Sequence, residues 1–238
     1  MGEVLMTAAE TDALLRSRGI AEWGVADLRR EPAFAPREHH APDLPRAISL
    51  VARHARVALE GVDVAPTPDY YGDYLRLNAV LNDAGLALVD ALRAAGREAE
   101  LVPSTVPEDE YDLVDDWGAA GVFAHKTAAT RAGLGWIGKT ALFVSERFGP
   151  WVRLATVFTD LDLPVGTPIE EGRCRTCRAC IDACPANAGR DVTWKAGIAR
   201  DALYDEKACE VYTERFDDLG GVCGSCLAVC PLGLAAEG

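Results

Sequence analysis

CRTCRACIDACP, residues 174–185, contains four of the eight cysteines in this chain of 238 residues. Its spacing, C-x₂-C-x₂-C-x₃-C-P, is the one with which bacterial ferredoxins hold iron–sulfur clusters. In that pattern three thiolates bind one [4Fe–4S] cluster, while the fourth, which precedes a proline, binds a second cluster. The stretch therefore predicts a small domain that is organised by metal–thiolate bonds.

The remaining cysteines complete the pattern. Cys209 stands by itself, and CGSCLAVCP (223–231) has the spacing C-x₂-C-x₃-C-P. If each run lends its last cysteine to the other, all eight thiols are used in two sites of four. The predicted first site is Cys174, Cys177, Cys180 and Cys230, and the predicted second site is Cys184, Cys209, Cys223 and Cys226.

Zinc is the alternative to iron–sulfur clusters at these sites. Structural zinc sites usually combine two C-x₂-C pairs that a spacer separates, and the run at 174–185 departs from that arrangement. A disulfide framework is disfavoured because reducing compartments keep thiols reduced. The spacing therefore favours two [4Fe–4S] clusters.

Composition and charge restrict the setting of the protein. Its hydrophobic content of 49% is sufficient for a substantial core. Residues 1–19 lack the design of a signal peptide, and no apolar run reaches the roughly 18 residues of a membrane span. We therefore expect a cytoplasmic protein without a membrane partner. The net charge of −13 argues against a broad nucleic-acid footprint but leaves room for a local basic groove.

The stretch GLGWIGKT (133–140) fits two nucleotide-binding patterns, G-x-x-x-x-G-K-[ST] and G-x-G-x-x-G. Both patterns require a strand before the glycines and a helix after them. Here a helical segment comes first and strand-forming residues follow, which is the reverse order. We therefore expect the glycines to allow a sharp backbone turn, with Trp136 and Ile137 buried. A nucleotide-dependent enzyme is the hypothesis that this loop alone would support.

Residue periodicity predicts a mixed α/β chain. The predicted helices are 7–18, 69–95 and 123–133, and the predicted strands are 22–28, 46–52 and 97–102. The runs ALFVS (141–145) and WVRLATVFTD (151–160) flank the turn ERFGP and predict a hairpin. We expect two domains, an α/β cofactor and substrate domain at 1–165 and a ferredoxin-like domain at 166–238.

The block RAGLGWIGKTALFVSERFGPWVRLATVFTDLDL (131–163), followed by both cysteine runs, resembles the epoxyqueuosine reductase family, which is related to reductive dehalogenases. The resemblance implies an α/β (α+β) N-terminal domain, similar to nitroreductase and corrinoid-processing folds, fused to a two-cluster ferredoxin-like domain. It implies an enzyme whose two [4Fe–4S] clusters pass electrons to a cobalamin-assisted reduction of a small molecule or modified nucleoside. The electron donor would be a ferredoxin, a flavodoxin or a reductase.

Two departures from this family affect the expected substrate. Family members that act on tRNA carry an Asp-Ser/Thr-x-Pro segment before the glycine loop, and Ala119 falls near the position of that aspartate. Those members also continue into a helical-repeat domain, whereas this chain ends at Gly238, like a short divergent member. Together with the acidic charge, these departures argue against tRNA as the substrate.

Reduction also requires a proton, and the helix before the glycine loop offers His125 and Lys126 as candidate catalytic donors. A capping or surface pair is the alternative interpretation of these two residues, and Asp115 and Asp116 are further candidates. The resemblance implies that the glycine loop lies against the corrinoid or the ferredoxin domain. The predicted cofactor-binding residues are therefore Gly133, Gly135, Trp136 and Lys139.

A second function is compatible with the same residues. Because the family aspartate is missing, the chain could be an electron-transfer protein of the ferredoxin type, with no substrate of its own. The large N-terminal domain would then be a docking surface for a partner enzyme. In that case substitution of His125 or Lys126 should leave electron transfer unchanged.

Overall fold

The computed structural model describes residues 6–30, 44–105 and 123–236. Helices and strands are mixed along the chain, and the short helices lie in the cysteine-rich part. The strands are β1 (Glu22–Asp27), β2 (Arg46–Arg53), β3 (Ala99–Val102), β4 (Gly135–Ile137), β5 (Phe143–Ser145) and β6 (Val152–Thr159). The helices are α1 (Ala8–Ser17), α2 (Pro68–Ala94), α3 (His125–Arg131), α4 (Ala179–Asp182), α5 (Arg200–Leu203), α6 (Glu206–Thr213), α7 (Ser225–Ala228) and α8 (Pro231–Ala235).

The mixed α/β class and the six predicted elements before residue 132 are confirmed, each with bounds close to the prediction. Local signals explain this agreement. At the start of α1, the Thr7 hydroxyl accepts a hydrogen bond from the Glu10 amide at 3.2 Å, and the Glu10 carboxylate accepts one from the Thr7 amide at 2.8 Å. Such a reciprocal cap satisfies two amides that would otherwise lack partners. Within the described ranges, no helix has both the length and the apolar character that a membrane span requires.

The first compact unit comprises residues 1–52, 78–134 and 153–168. Its four-stranded sheet has the order β1-β2-β6-β3, with β1 antiparallel to β2 and β3 antiparallel to β6. Every residue of β2 except the last is buried. The adjoining core includes Ala47 of β2, Ala128 of α3 and Phe158 of β6, all fully buried. The sheet is therefore covered by helix α3 on the side of this core.

The second compact unit comprises residues 53–77, 135–152 and 169–238. Trp151 is 1% exposed and anchors a core with Leu59, Val62 and Tyr70. Its indole nitrogen donates a hydrogen bond to the Leu227 carbonyl at 3.0 Å. The C-terminal segment thus shares its core with two earlier pieces of chain. The division into domains at residue 165 stays a prediction.

The predicted hairpin between 141–145 and 151–160 is wrong. Strand β5 pairs instead with β4, where Gly135 lies opposite Ser145, and β6 belongs to the four-stranded sheet of the first unit. A tight turn explains this pairing: the Gly138 amide donates to the Leu142 carbonyl at 2.7 Å, and Ala141 takes a positive φ of 59°. Strand β4 was not predicted because it begins with a glycine, and glycine is depleted in strands.

Gly135 is required by close backbone contact. A Cβ at this position would lie 2.1 Å from the Val144 carbonyl oxygen and 2.9 Å from the Ser145 Cα. We expect Gly135→Ala to lower the free energy of unfolding by about 1–3 kcal/mol through overpacking. The matched control is Gly72→Ala on α2, where an added Cβ meets nothing within 4 Å. The control should gain up to about 1 kcal/mol from helix propensity. Urea unfolding measures the stability of both variants. Equal stabilities of Gly135→Ala and Gly72→Ala would contradict the requirement for glycine at position 135.

The ionisation of Asp27 makes the stability of the first unit depend on pH. Hydrogen bonds from Arg29 are the main cause that lowers the pKa of Asp27 to about 2, and the nearby Arg46 guanidinium assists. A lowered folded-state pKa contributes stability that is complete above the ordinary value and is lost as pH falls toward the folded one.

We therefore expect Asp27→Asn to be less stable than the wild type near neutral pH, with the difference shrinking between about pH 4 and pH 2. Urea unfolding across this range measures the difference. Asp90→Asn, which removes an exposed carboxylate of α2, controls for the loss of one negative charge. A difference that stays constant with pH would show that the Asp27 carboxylate does not act through its ionisation.

Candidate metal centre

All eight cysteines belong to the second unit and are free thiols. The first run begins with a tight turn, in which the Cys177 amide donates to the Cys174 carbonyl at 3.0 Å. Helix α4 carries Cys180 and helix α7 carries Cys226, and these two short helices pack against each other. The fold therefore joins the two cysteine runs, which lie far apart in sequence.

Electrostatic contacts link the thiols of the second unit to one another. Burial, followed by repulsion from Cys174, Cys230 and Cys177, raises the pKa of Cys180 to about 11. Burial also raises the pKa of Cys230, with Cys174 and Cys177 adding to the effect. We call these four residues the first cysteine group. They are the same four residues as the predicted first site.

The other four thiols form the second cysteine group. Burial raises the pKa of Cys226 to about 12, and repulsion from Cys180, Cys223 and Cys184 adds to it. Burial likewise raises the pKa of Cys209, and repulsion from Cys223 and Cys184 adds to the effect. The contact between Cys226 and Cys180 shows that the two groups adjoin. The members of this group are the residues of the predicted second site.

These surroundings fit a cationic centre. Metals bind thiolates rather than thiols, and a buried thiolate beside others is unfavourable unless positive charge compensates it. Among the described residues, no three His, Cys, Asp or Glu side chains converge closely enough to hold a single metal ion. A [4Fe–4S] cluster does not require such convergence, because each thiolate binds its own iron. The predicted clusters are therefore chemically compatible with both groups.

Lys139 supports the first cysteine run. It is 4% exposed, and its Nζ donates to the Cys177 carbonyl at 3.0 Å and to Asp191 Oδ1 at 2.7 Å. Asp191 also pairs with Arg178, and the hydrogen bond from Lys139 is the main cause that lowers the pKa of Asp191. Asp191 is not predictable from the sequence, since no motif includes it. Its positive φ of 55° marks a turn that residue type alone does not reveal.

The other three predicted cofactor-binding residues contact the chain itself. Gly133 takes a φ of 76°, and a Cβ there would lie 2.5 Å from the Thr167 carbonyl oxygen. Trp136 packs in a core with Trp194. The predicted order of a helix before the glycines and a strand after them is confirmed, as is the burial of Trp136, whereas Ile137 is only partly buried. A role for Gly133, Gly135 and Trp136 in cofactor binding stays a prediction.

His125 lies at the start of α3 with both ring nitrogens engaged. Nε2 donates to the Pro103 carbonyl at 3.0 Å, because a carbonyl can only accept, and Nδ1 then accepts from the Thr156 hydroxyl at 2.9 Å. Burial lowers the pKa of His125 to about 4, so the imidazole is neutral near neutral pH. Lys126 follows it and is half-buried. Catalytic roles for both residues stay predictions, and Asp115, Asp116 and Ala119 lie outside the described residues.

His54 and Asp73 form a buried pair that no sequence motif predicts. His54 Nδ1 lies 2.7 Å from Asp73 Oδ2, which also accepts a hydrogen bond from the Ala55 amide at 3.2 Å. Burial alone would raise the pKa of Asp73, but the bonds from His54 and Arg76 outweigh it and hold the pKa below its usual value. The pair ties the end of β2 to the first turns of α2. The sequence does not predict this pair, because a single histidine after a strand belongs to no motif.

Comparisons with known proteins agree with the resemblance. No family model matches the chain. The epoxyqueuosine reductase of Aliivibrio fischeri is 35% identical over 122 residues, which cover 46% of this chain and 30% of that protein. The chain spans between 30% and 38% of the length of this and two further epoxyqueuosine reductases that it matches.

Two solved structures have the same fold. A catabolic reductive dehalogenase matches with a TM-score of 0.72 at 20% identity, covering 94% of this chain and 31% of its own. An epoxyqueuosine reductase with an epoxyqueuosine-modified tRNA stem loop matches with a TM-score of 0.59 at 17% identity, covering 97% and 66%. Since that relative was solved with tRNA, the comparison does not support our argument against tRNA. This chain is thus similar in sequence to epoxyqueuosine reductases and shares the fold of a solved epoxyqueuosine reductase.

Proposed function

We propose that this chain is an iron–sulfur reductase in which the two cysteine groups each hold a [4Fe–4S] cluster. When bound, these clusters supply one-electron transfer to the reduction of a substrate. The observation that carries the proposal is that thiols of both cysteine runs lie close together in the second unit, where Cys226 adjoins Cys180 and all of them but Cys177 are partly buried. The ferredoxin spacing of the first run and the similarity to epoxyqueuosine reductases support it independently.

The residues around the first group support a rigid site. The turn from Cys174 to Cys177 fixes the first two thiols, and Lys139 holds the carbonyl of Cys177 from the side of β4. Because Lys139 also pairs with Asp191, its positive charge is balanced by that carboxylate and not by a cluster. We infer that Lys139 positions the first run and needs no phosphate partner.

For the substrate we propose a small molecule or a modified nucleoside, including a nucleoside within tRNA. Similarity to epoxyqueuosine reductases supports the nucleoside, and the structural likeness to a reductive dehalogenase supports the small molecule. A ferredoxin, a flavodoxin or a reductase would supply the electrons. Reduction of an added substrate by the loaded protein tests this proposal.

Cobalamin is a further proposed cofactor, supported by the family resemblance. A solved reductive dehalogenase of the same fold suggests a mechanism for B12-dependent dehalogenation. The glycine loop, with Gly133, Gly135, Trp136 and Lys139, stays the predicted place for the corrinoid, and His125 and Lys126 stay the predicted proton donors. Addition of cob(II)alamin, followed by its absorbance, tests this assignment. If the protein leaves the cob(II)alamin spectrum unchanged, the corrinoid assignment is wrong. The cluster assignment is unaffected by that result.

An electron-transfer protein without its own substrate is the second candidate. The engagement of both His125 nitrogens favours it, because such an imidazole has no free proton to deliver. The variant His125→Gln separates the two functions. If His125 is catalytic, substrate reduction falls while reduction of an artificial acceptor is retained. If the chain only carries electrons, transfer to the acceptor and to a partner enzyme is unchanged.

The cluster assignment predicts the iron content. Protein purified without oxygen should contain about eight irons per chain and absorb broadly in the violet. Cys177→Ser and Cys226→Ser should each lose about half of this iron, because they remove ligands of different groups. Iron and sulfide analysis measures these contents. Stoichiometric zinc without iron, or iron that neither substitution reduces, would overturn the assignment.

Loss of the Lys139 ion pair should destabilise the second unit. We expect Lys139→Met to lower the free energy of unfolding by about 2 kcal/mol, the scale of a hydrogen bond to a charged group. Lys207→Met is the matched control, because Lys207 pairs with Glu210 at 2.8 Å with both side chains mostly exposed. It should cost much less than Lys139→Met, because an exposed ion pair contributes little to stability. Anaerobic urea unfolding compares them, and equal losses would contradict the supporting role of Lys139.

A further inference from the structure

The first cysteine group reaches the surface of the second unit at one loop. Residues 175–178 are all exposed, and Cys177 is among them. The other seven cysteines are partly buried. Under the proposed function, on which this inference rests, Cys177 is a cluster ligand. The loop is therefore the place where a cluster ligand is most accessible to a protein in solution.

Positive charge surrounds this exposed thiol. Residues 173–178, which we call the arginine loop, contain three arginines and no acidic residue. The side chains of Arg173 and Arg178 are about half exposed, and each pairs with carboxylates of the same unit. Arg175 is exposed and makes no ion pair with the other residues that the structure describes. Its guanidinium is thus available to a negatively charged partner.

The arginine loop is held in place by backbone contacts. The Cys177 amide donates to the Cys174 carbonyl at 3.0 Å, and the Cys177 carbonyl accepts from Lys139 Nζ at 3.0 Å. Lys139 is buried, so this second contact comes from the interior of the unit. A surface that is fixed in this way can bind a partner with little change in its backbone.

The exposed surface next to the second cysteine group has the opposite charge. Residues 206–219, which include Cys209, carry five acidic and two basic side chains, and all seven are exposed. Electrostatic complementarity steers a charged partner toward the surface of opposite sign and away from the surface of like sign. An acidic protein is therefore attracted to the first cysteine group and repelled from this side of the second.

We propose that the arginine loop binds the acidic face of the electron-donor protein, so that electrons enter at the first cysteine group. Redox partners meet through small, transient interfaces, and a loop of six residues with three arginines suits an encounter of this kind. The transfer moves one electron from the reduced donor, which is oxidised by one electron, and no bond forms or breaks.

A nucleic acid is the other polyanion that arginines bind, and the loop suits it less well. Affinity for nucleic acid grows with the number of phosphates that are neutralised, and two of the three arginines already have carboxylate partners. The loop also lacks an aromatic side chain on which a base could stack. The exposed Cys177 thiol, by contrast, is what an electron donor has to approach.

The test measures how fast a reduced acidic flavodoxin, used as the probe, reduces the iron-loaded protein in an anaerobic stopped-flow experiment. The second-order rate constant of the wild type should fall as salt is added, because salt screens the attraction. At low salt, Arg175→Glu should reduce this rate constant about tenfold, with Arg175→Gln between the two. At about 0.5 M salt the three proteins should react at similar rates.

Two controls isolate the position of the charge. Arg215→Glu makes the same change of charge within residues 206–219, where Arg215 lies over the Tyr212 ring, and should leave the rate constant nearly unchanged. Because Arg175 is next to Cys174, the midpoint potential of each variant is measured by dithionite titration. A change in driving force persists at high salt, whereas a change in association does not.

The outcomes separate this inference from the proposed function, and iron analysis accompanies every measurement. Iron-loaded protein whose reduction depends on neither salt nor residue 175, or an equal loss in Arg215→Glu, would overturn the inference and leave the cluster assignment intact. Weaker tRNA binding by Arg175→Glu with unchanged reduction would assign the loop to nucleic acid instead. A wild type without iron would overturn both proposals. If Arg175→Glu loses its iron, Arg175→Gln decides the result.

Discussion

Repulsion among thiolates in a buried space is the constraint on which the second unit depends. Cys180 and Cys226 lie on adjacent short helices, and the pKa of each is raised mainly by burial and further by neighbouring thiols. Such a concentration of sulfur is unfavourable in its ionised form unless cations bind to it. Under the proposed function, the unit is arranged around charge that the polypeptide does not itself supply, and its other features hold the sulfurs at their positions.

Backbone geometry and a few buried polar contacts do this holding. Gly135 lets β4 pass close to β5, so that Lys139 at the end of the loop can reach both Cys177 and Asp191. On another side, Trp151 is fixed by its bond to the Leu227 carbonyl in α7. The segment between Gly135 and Trp151 thus contacts both cysteine runs. This explains why the glycine loop and the cysteine array occur in the same compact unit.

Local signals predicted much of the fold, and long-range partners limited the rest. The apolar period of α2 and the cap of α1 depend on neighbouring residues, so the sequence located both helices. The eight cysteines were predicted as ligands from spacing, which is itself a local pattern, and their ligand role stays a prediction. In contrast, β4 was missed, since its glycine serves close packing, and the hairpin was assigned to the wrong strands. The partners of Lys139 and His125 lie tens of residues away, and no local pattern encodes them.

The membership of the first cysteine group has a consequence for the order of events during synthesis. Cys174, Cys177 and Cys180 leave the ribosome long before Cys230, whose thiol belongs to the same group. In the second group only Cys184 is synthesised early, and its three partners follow later in the chain. Neither group can be complete until nearly the whole of this segment has emerged. Under the proposed function, insertion of a cluster into either group therefore follows translation of residues 174–230.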